Sequence, residues 1–178
     1  MKGLCLRYVS DSENVKDILQ EGFIKVFSHI KDFKGDGAFD GWIKRIFVNT
    51  AISYLRKQNR KSNYIRIEDV DESVFPENEM YLSNQNASND NINNRSNQNT
   101  AETIWSADLS EVELLNALHK IPEKYRIVFN MFCIENIKHE EISVILDIDI
   151  TTSRTRLLRA RGIIQKELYS LCIEKQSQ

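Results

Sequence analysis

Four arginines packed into eight residues make the clearest chemical statement in this chain. The segment Thr151-Thr-Ser-Arg-Thr-Arg-Leu-Leu-Arg-Ala-Arg161 opens with three hydroxyls and carries Arg154, Arg156, Arg159 and Arg161. A guanidinium pairs bidentately with a guanine edge or a phosphate, and short hydroxyls let a helix sit close in a major groove. Such hydroxyls can also cap free backbone N–H groups where a helix begins. Just upstream, Lys138-His-Glu-Glu-Ile-Ser-Val-Ile-Leu146 places Ile142, Ile145 and Leu146 at helical spacing, and Asp147-Ile-Asp-Ile150 reads as a short turn. Helix, turn and basic helix together predict a helix-turn-helix on duplex DNA. The plainer reading is a solvated basic face on an ordinary helical bundle.

A second set lies near the other end. Trp42, Arg45, Asn49, Ser53, Arg56 and Arg60 recur at three- and four-residue steps. An aromatic, an amide and a ladder of cations on one helix face can hold single-stranded DNA by stacking and phosphate pairing. A core tryptophan beside a solvated basic face is the competing reading.

The elements that must position these groups are helical. Val15, Ile18, Leu19, Phe23, Val26, Phe27 and Ile30 form an amphipathic stripe, opposite Asp17, Gln20, Glu21 and Lys25. The loop Lys34-Gly-Asp-Gly37 breaks the pattern. A second long helix is expected from about residue 39 to 60, with Ile43, Ile46, Phe47, Ala51 and Leu55 facing inward. The expected fold is all-α, with two small helical domains joined by a flexible linker.

Charge distribution supports that division. Residues 1–63 hold 12 basic against 7 acidic side chains, residues 64–110 hold 2 against 9, and residues 111–178 balance at 10 and 10. Two nucleic-acid-facing modules with a non-binding connector fit this pattern. Within the connector, eight of the seventeen residues from Ser83 to Asn99 are asparagine, a composition with little to bury. A short ordered piece is expected near residues 65–70. The roughly 47-residue tether could reach about 150 Å when fully extended.

Other classes find little support. Cys5, Cys133 and Cys172 are far apart, as are His29, His119 and His139, so no metal site and no cofactor are expected, and the thiols read as buried. Neither a leader nor an apolar run of membrane-spanning length is visible, so the chain reads as cytoplasmic and not as an integral membrane protein. Paired catalytic carboxylates and a Gly-rich phosphate loop are also missing, so no enzymatic activity and no small-molecule substrate are expected.

Three stretches resemble bacterial sigma factors. Asn14-Val-Lys-Asp-Ile-Leu-Gln-Glu-Gly-Phe-Ile-Lys-Val-Phe27 is similar to the polymerase-binding helix of that family. Phe33-Lys-Gly-Asp-Gly-Ala-Phe-Asp-Gly-Trp-Ile-Lys-Arg-Ile-Phe-Val-Asn49 is similar to the adjoining promoter-melting, minus-ten-reading segment. Leu118-His-Lys-Ile-Pro-Glu-Lys-Tyr-Arg126 and the helix-turn-helix after it resemble the domain that reads the minus-thirty-five element. The layout, with two such domains and only a tether between, is that of the extracytoplasmic-function (ECF) group.

This resemblance implies an ECF sigma factor: a specificity subunit that directs core RNA polymerase to promoters and has no catalysis of its own. Residues 1–63 would form the docking and melting domain, 64–110 the linker and 111–178 the helix-turn-helix domain. Asp17, Gln20, Glu21 and Ile24 would dock on polymerase. Phe39, Trp42, Arg45 and Asn49 would capture the unpaired minus-ten strand, with Arg56, Lys57, Arg60 and Lys61 following the DNA backbone. Thr152, Arg154, Thr155, Arg156 and Arg159 would enter the major groove of the minus-thirty-five duplex. An anti-sigma factor is a further implied partner.

Several positions depart from the family pattern. Another helix usually precedes the position of Met1, which implies that the first domain lacks packing partners. Ser53 stands where an aspartate is common and Ser153 where a valine is normally buried. Gly22 interrupts the docking helix at a helix cost of about 0.5–1 kcal/mol against alanine. Two other readings stay open at this point: a stand-alone helix-turn-helix regulator that needs no polymerase, and an enzyme acting on nucleic acid.

Overall fold

The computed structural model describes residues 1–35, 37–61 and 108–176. Nearly all of the expected linker, with the ordered piece expected near residues 65–70, lies outside the described residues, as do the side chains of Arg60 and Lys61. Every regular element among the described residues is helical. In the first block these are α1 (Lys2–Tyr8), α2 (Ser12–His29) and α3 (Phe39–Lys61). The second block has α4 (Glu111–Lys120), α5 (Glu123–Phe129), a wide turn over Asn130–Ile134, α6 (His139–Leu146) and α7 (Ile150–Gln176).

Local chemistry sets the boundaries. The Asp11 side chain caps α2 by accepting from the Glu13 N–H at 3.3 Å. Gly35 and Gly37, at φ of +80° and +98°, make the turn before α3 that side-chain-bearing residues disfavour. Ser110 and Glu113 form a reciprocal capping box at the start of α4. Lys175, at the far end of α7, reaches the same Glu113 carboxylate at 2.8 Å. The Lys175 ammonium, then the Ser110 hydroxyl and N–H, hold that carboxyl well below its ordinary 4.5, at about 2.

Helices α1, α2 and α3 pack on one another, while α7 lies across α4, α5 and α6. The two blocks also meet. Helix α1 packs against α4 and α5, and one apolar cluster joins Leu4, Cys5, Tyr8, Ile18 and Phe47 to Val128, Met131, Ile137, Ile142 and Leu157. The sequence pattern treats the blocks as separate modules, and nothing in its periodicity foretells this shared core.

Two details of α2 differ from the expectation. Val15, Ile18 and Val26 are buried, yet Phe23, Phe27 and Ile30 are 44%, 70% and 44% exposed, because the apolar stripe outruns the helices that cover it. Gly22 has a specific packing reason: the Phe47 ring lies so close that an added Cβ would stand 2.4 Å from its Cε1. Among the thiols, Cys5 and Cys172 are buried as expected, whereas Cys133 is exposed.

Two expectations follow. Gly22→Ala gains about 0.5–1 kcal/mol of helix propensity but overpacks a site where such insertions cost about 1–3 kcal/mol. Urea unfolding should show a net loss, and Phe47→Leu added to Gly22→Ala should recover part of it; a stabilised single variant would contradict this packing. The depressed Glu113 carboxyl contributes stability that is present above its unfolded value near 4.5 and lost as pH falls toward 2. An NMR titration of Glu113 should show this low midpoint, and Lys175→Ala should move it back up.

Candidate nucleic-acid interface

Helix α3 sorts its residues by face. Phe47, Val48, Thr50, Ala51, Ile52 and Leu55 are buried, whereas Arg45, Asn49, Ser53, Arg56 and Lys57 are exposed. At its N-terminal end Trp42 is half-buried in an aromatic group. Its ring lies 5.7 Å from Phe39 in a stacked arrangement at 19°, and 5.5 Å from Phe33. Phe39 is exposed, so this cluster has an outer aromatic surface on which a base could stack. Trp42 thus serves the core and the surface together. Phe33, missing from the sequence-derived set, supports both rings, and its place just before the glycine turn is the signal that could have found it.

Two cations of this face reach across to the second block. Arg45 pairs with Glu141 of α6 at 3.0 Å, and Arg56 donates to the Ile145 carbonyl at 2.6 Å. Asn59 donates to Glu123 at 3.1 Å. Between α3 and the second block lies a cleft of about 330 Å³, lined by Trp42, Lys44, Arg45, Val48, Glu135 and Asn136 among others.

The helix-turn-helix is built as its sequence implies, with sharper detail. Asp147 ends α6 in the left-handed region at φ 56°, and the Ile148 N–H returns to the Ser143 carbonyl at 3.1 Å. Helix α7 starts at Ile150, so Thr151, Thr152 and Ser153 lie inside its first turn rather than ahead of it. Ser153 is fully buried, and its hydroxyl meets His139 Nδ1 at 2.8 Å. The His139 ring stacks on Phe132 with centroids 4.4 Å apart. Burial, then the nearby Arg154 charge, push the His139 pKa down. A hydroxyl where the family buries a valine therefore has its partner in α6.

The basic residues of α7 divide into two kinds. Arg154 and Thr155 are exposed; Thr152, Arg156 and Arg159 are half-buried. Arg159 turns toward the body of the domain, donating to the Tyr125 hydroxyl at 3.2 Å with its guanidinium 5.9 Å from that ring's centre. The expected common face of Arg156 and Arg159 is thus partly a packing face. Thr151 and Leu158 lie on the exposed side with Arg154 and Thr155, and counting three, four and seven residues from Thr151 identifies them. On α2, Asp17, Gln20, Glu21 and Ile24 are all exposed, with Ile24 at 57%.

A helix-turn-helix module beside a second helical unit with an aromatic, basic face defines a class of DNA-handling proteins. Comparison with known proteins narrows it. Residues 1–61 match sigma-70 region 2, and residues 111–163 match sigma-70 region 4. The ECF RNA polymerase sigma-E factor of Haemophilus influenzae is 31% identical over 170 residues, covering 95% of this chain and 82% of that protein. The sigma-E factor of Escherichia coli K12 is 30% identical over 94% of this chain and 80% of its own length. The RNA polymerase sigma-H factor of Pseudomonas aeruginosa is 28% identical over 97% and 82%. In fold, the chain is similar to the sigma factor RpoE solved in complex with the anti-sigma factor NepR from Bartonella quintana, at a TM-score of 0.54, 17% identity, and coverage of 94% of this chain and 88% of that one. The chain belongs to the ECF group of sigma-70-type RNA polymerase sigma factors.

The two arginine environments should separate in experiment. Arg154→Ala should leave unfolding free energy within about 0.5 kcal/mol of the wild type, as exposed substitutions do. If Arg154 reads a guanine, promoter binding should weaken by about 1–3 kcal/mol at one base position. Arg159→Ala should instead lower stability by about 1 kcal/mol through the lost hydrogen bond. Denaturation curves beside binding to a promoter library distinguish these outcomes, and an Arg154 variant that binds every sequence as well as the wild type would remove that side chain from the groove.

Proposed function

We propose that the chain docks on core RNA polymerase through Asp17, Gln20, Glu21 and Ile24 and carries promoter specificity on two separate faces. Phe39, Trp42, Arg45 and Asn49 take the unpaired minus-ten strand, while Arg56, Lys57, Arg60 and Lys61 follow its backbone. Thr152, Arg154, Thr155, Arg156 and Arg159 serve the minus-thirty-five duplex, with Arg159 helping to hold α7 in place. The observation that carries this reading is the order of the two matched regions, 1–61 then 111–163, each bearing its own surface. A stand-alone helix-turn-helix regulator leaves the first of these without a role.

The protein works by binding and positioning, without covalent chemistry of its own, and does so in the cytoplasm. No helix among the described residues is long and apolar enough to cross a membrane. An anti-sigma factor restrains it, as the Bartonella quintana complex suggests by analogy.

The docking and melting sets should fail differently. Gln20→Ala with Glu21→Ala should weaken capture of core polymerase. Trp42→Ala with Asn49→Ala should preserve capture and impair strand opening, since one base stacked on an aromatic is worth about 1–3 kcal/mol. A polymerase pull-down beside permanganate footprinting, with circular dichroism for folding, checks both. A folded Trp42/Asn49 variant that opens promoters normally would reduce Trp42 to a packing residue.

A further inference from the structure

We propose that Leu158 and the γ-methyl of Thr155 form an apolar reader on α7 that selects a thymine 5-methyl group in the major groove. The proposal rests on the reading of α7 as the minus-thirty-five helix given above.

Helix α7 exposes a mixed face. Thr151, Arg154, Thr155 and Leu158 stand three, four and seven residues from one another along one side and are all exposed. Between them Ser153 and Leu157 are buried in the domain, which fixes the direction in which this side looks. Leu158 keeps 38% of its surface open to water. A single leucine on a surface is ordinary. This one stands in the row of side chains that a major groove receives from the start of a recognition helix.

Thr155 supplies a second and independent observation. Its hydroxyl donates to the Thr151 carbonyl one turn back, at 3.0 Å. That proton is spent inside the helix, and the group Thr155 has left to present is its γ-methyl. Three residues on, Leu158 adds two more methyls on the same side. Duplex DNA has one apolar feature along its major groove, the thymine 5-methyl, and threonine methyls and other apolar side chains are the groups that meet it. Cytosine presents an amino donor there, for which this pair has no use.

The later arginines mark where the reader ends. Arg159 is drawn to the Tyr125 hydroxyl, and the Arg161 guanidinium lies 5.8 Å from the centre of the Phe132 ring. Leu158 is thus the last member of the exposed row before side chains that reach back to their own domain. Charge at Arg154 and shape at Thr155 and Leu158 divide the work on this helix. The first acts on any acceptor, whereas the second acts on one base.

The test uses the full chain bound to core polymerase. Promoter duplexes are selected from a library randomised across the minus-thirty-five element, and each thymine of the enriched sequence is replaced in turn by deoxyuridine, which lacks only the 5-methyl. The wild type should lose about fourfold in affinity at one of these thymines, the weight of one methyl-sized group taken from water. That ratio should be equal at low and high salt, because a methyl contact releases no counterion. In Leu158→Ala the difference between thymine and deoxyuridine should vanish, with circular dichroism confirming the fold. Thr155→Ser removes the γ-methyl and should diminish the difference, whereas Thr155→Val keeps the methyl and should preserve it. The proposal is overturned if no thymine is methyl-sensitive, if the difference survives in Leu158→Ala, or if Thr155→Val abolishes it while Thr155→Ser does not. A selection that enriches no common sequence strikes the minus-thirty-five reading of α7 itself, and the apolar reader with it. An enriched sequence indifferent to the methyl strikes the apolar reader alone, so the two failures are distinct.

Discussion

The guanidinium of Arg126 closes the carbonyl ends of two helices from different halves of the chain. It donates to the carbonyls of His119 and Ile121 at the end of α4, at 3.3 and 3.2 Å, and to that of Tyr8 at the end of α1, at 3.3 Å. Helix C-termini present unpaired carbonyls and partial negative charge, and a cation there answers both needs. Burial draws the Arg126 pKa below its ordinary value while Glu123 opposes the shift, so the charge is held by those carbonyls rather than by water. Two neighbouring bonds reinforce this closure. His119 Nε2 meets the Leu6 carbonyl at 2.8 Å, and Asn130 donates to the Arg7 carbonyl at 2.9 Å. Three consecutive carbonyls of α1 are thus consumed by the second domain. The relation between the halves depends on this knot, because it is what satisfies the end of α1.

From there the constraints run into α3, which has to be a core element and a surface at once. Phe47 supplies the core function and rests so close to α2 that only glycine fits at position 22. That close approach brings Phe23 edge-on to Phe47, with centroids 5.1 Å apart. The inner face is thereby fixed, and fixing it fixes the outer one, since residues three and four apart share a side of a helix. Arg45, Asn49 and Arg56 face outward as a consequence of what Phe47, Ala51 and Leu55 bury.

Period and residue type reveal some of this from sequence alone. The helical segments, the glycine turn and the helix-turn-helix follow from local spacing and were readable. What stayed hidden depends on contacts between distant residues. Gly22 looks like a propensity defect until Phe47 is placed above it, 25 residues away. Ser153 looks like a lost apolar contact until His139 is found opposite. Arg159 looks only like a reader of DNA until its bond to the Tyr125 hydroxyl is seen. Glu135 and Glu141 drew no attention at all, since neither a lone acidic residue after a turn nor one on a helical surface has a periodic signature. Pairing across the fold gives each of them meaning.

The acidic residues also resolve a puzzle in the composition. A chain that handles DNA carries 26 acidic side chains against 24 basic ones, with no overall positive field to draw it to phosphate. Overall charge would matter if the free protein had to search DNA by itself. It matters much less if the cations are matched internally until another partner positions them. The polar bonds across the seam join guanidinium, amide or imidazole groups to oxygen acceptors, and nucleic acid offers acceptors of the same kind. Beside these bonds the seam holds a shared apolar core, from Leu4, Ile18 and Phe47 to Val128, Met131 and Ile142, and the burial of that surface opposes any parting of the two blocks.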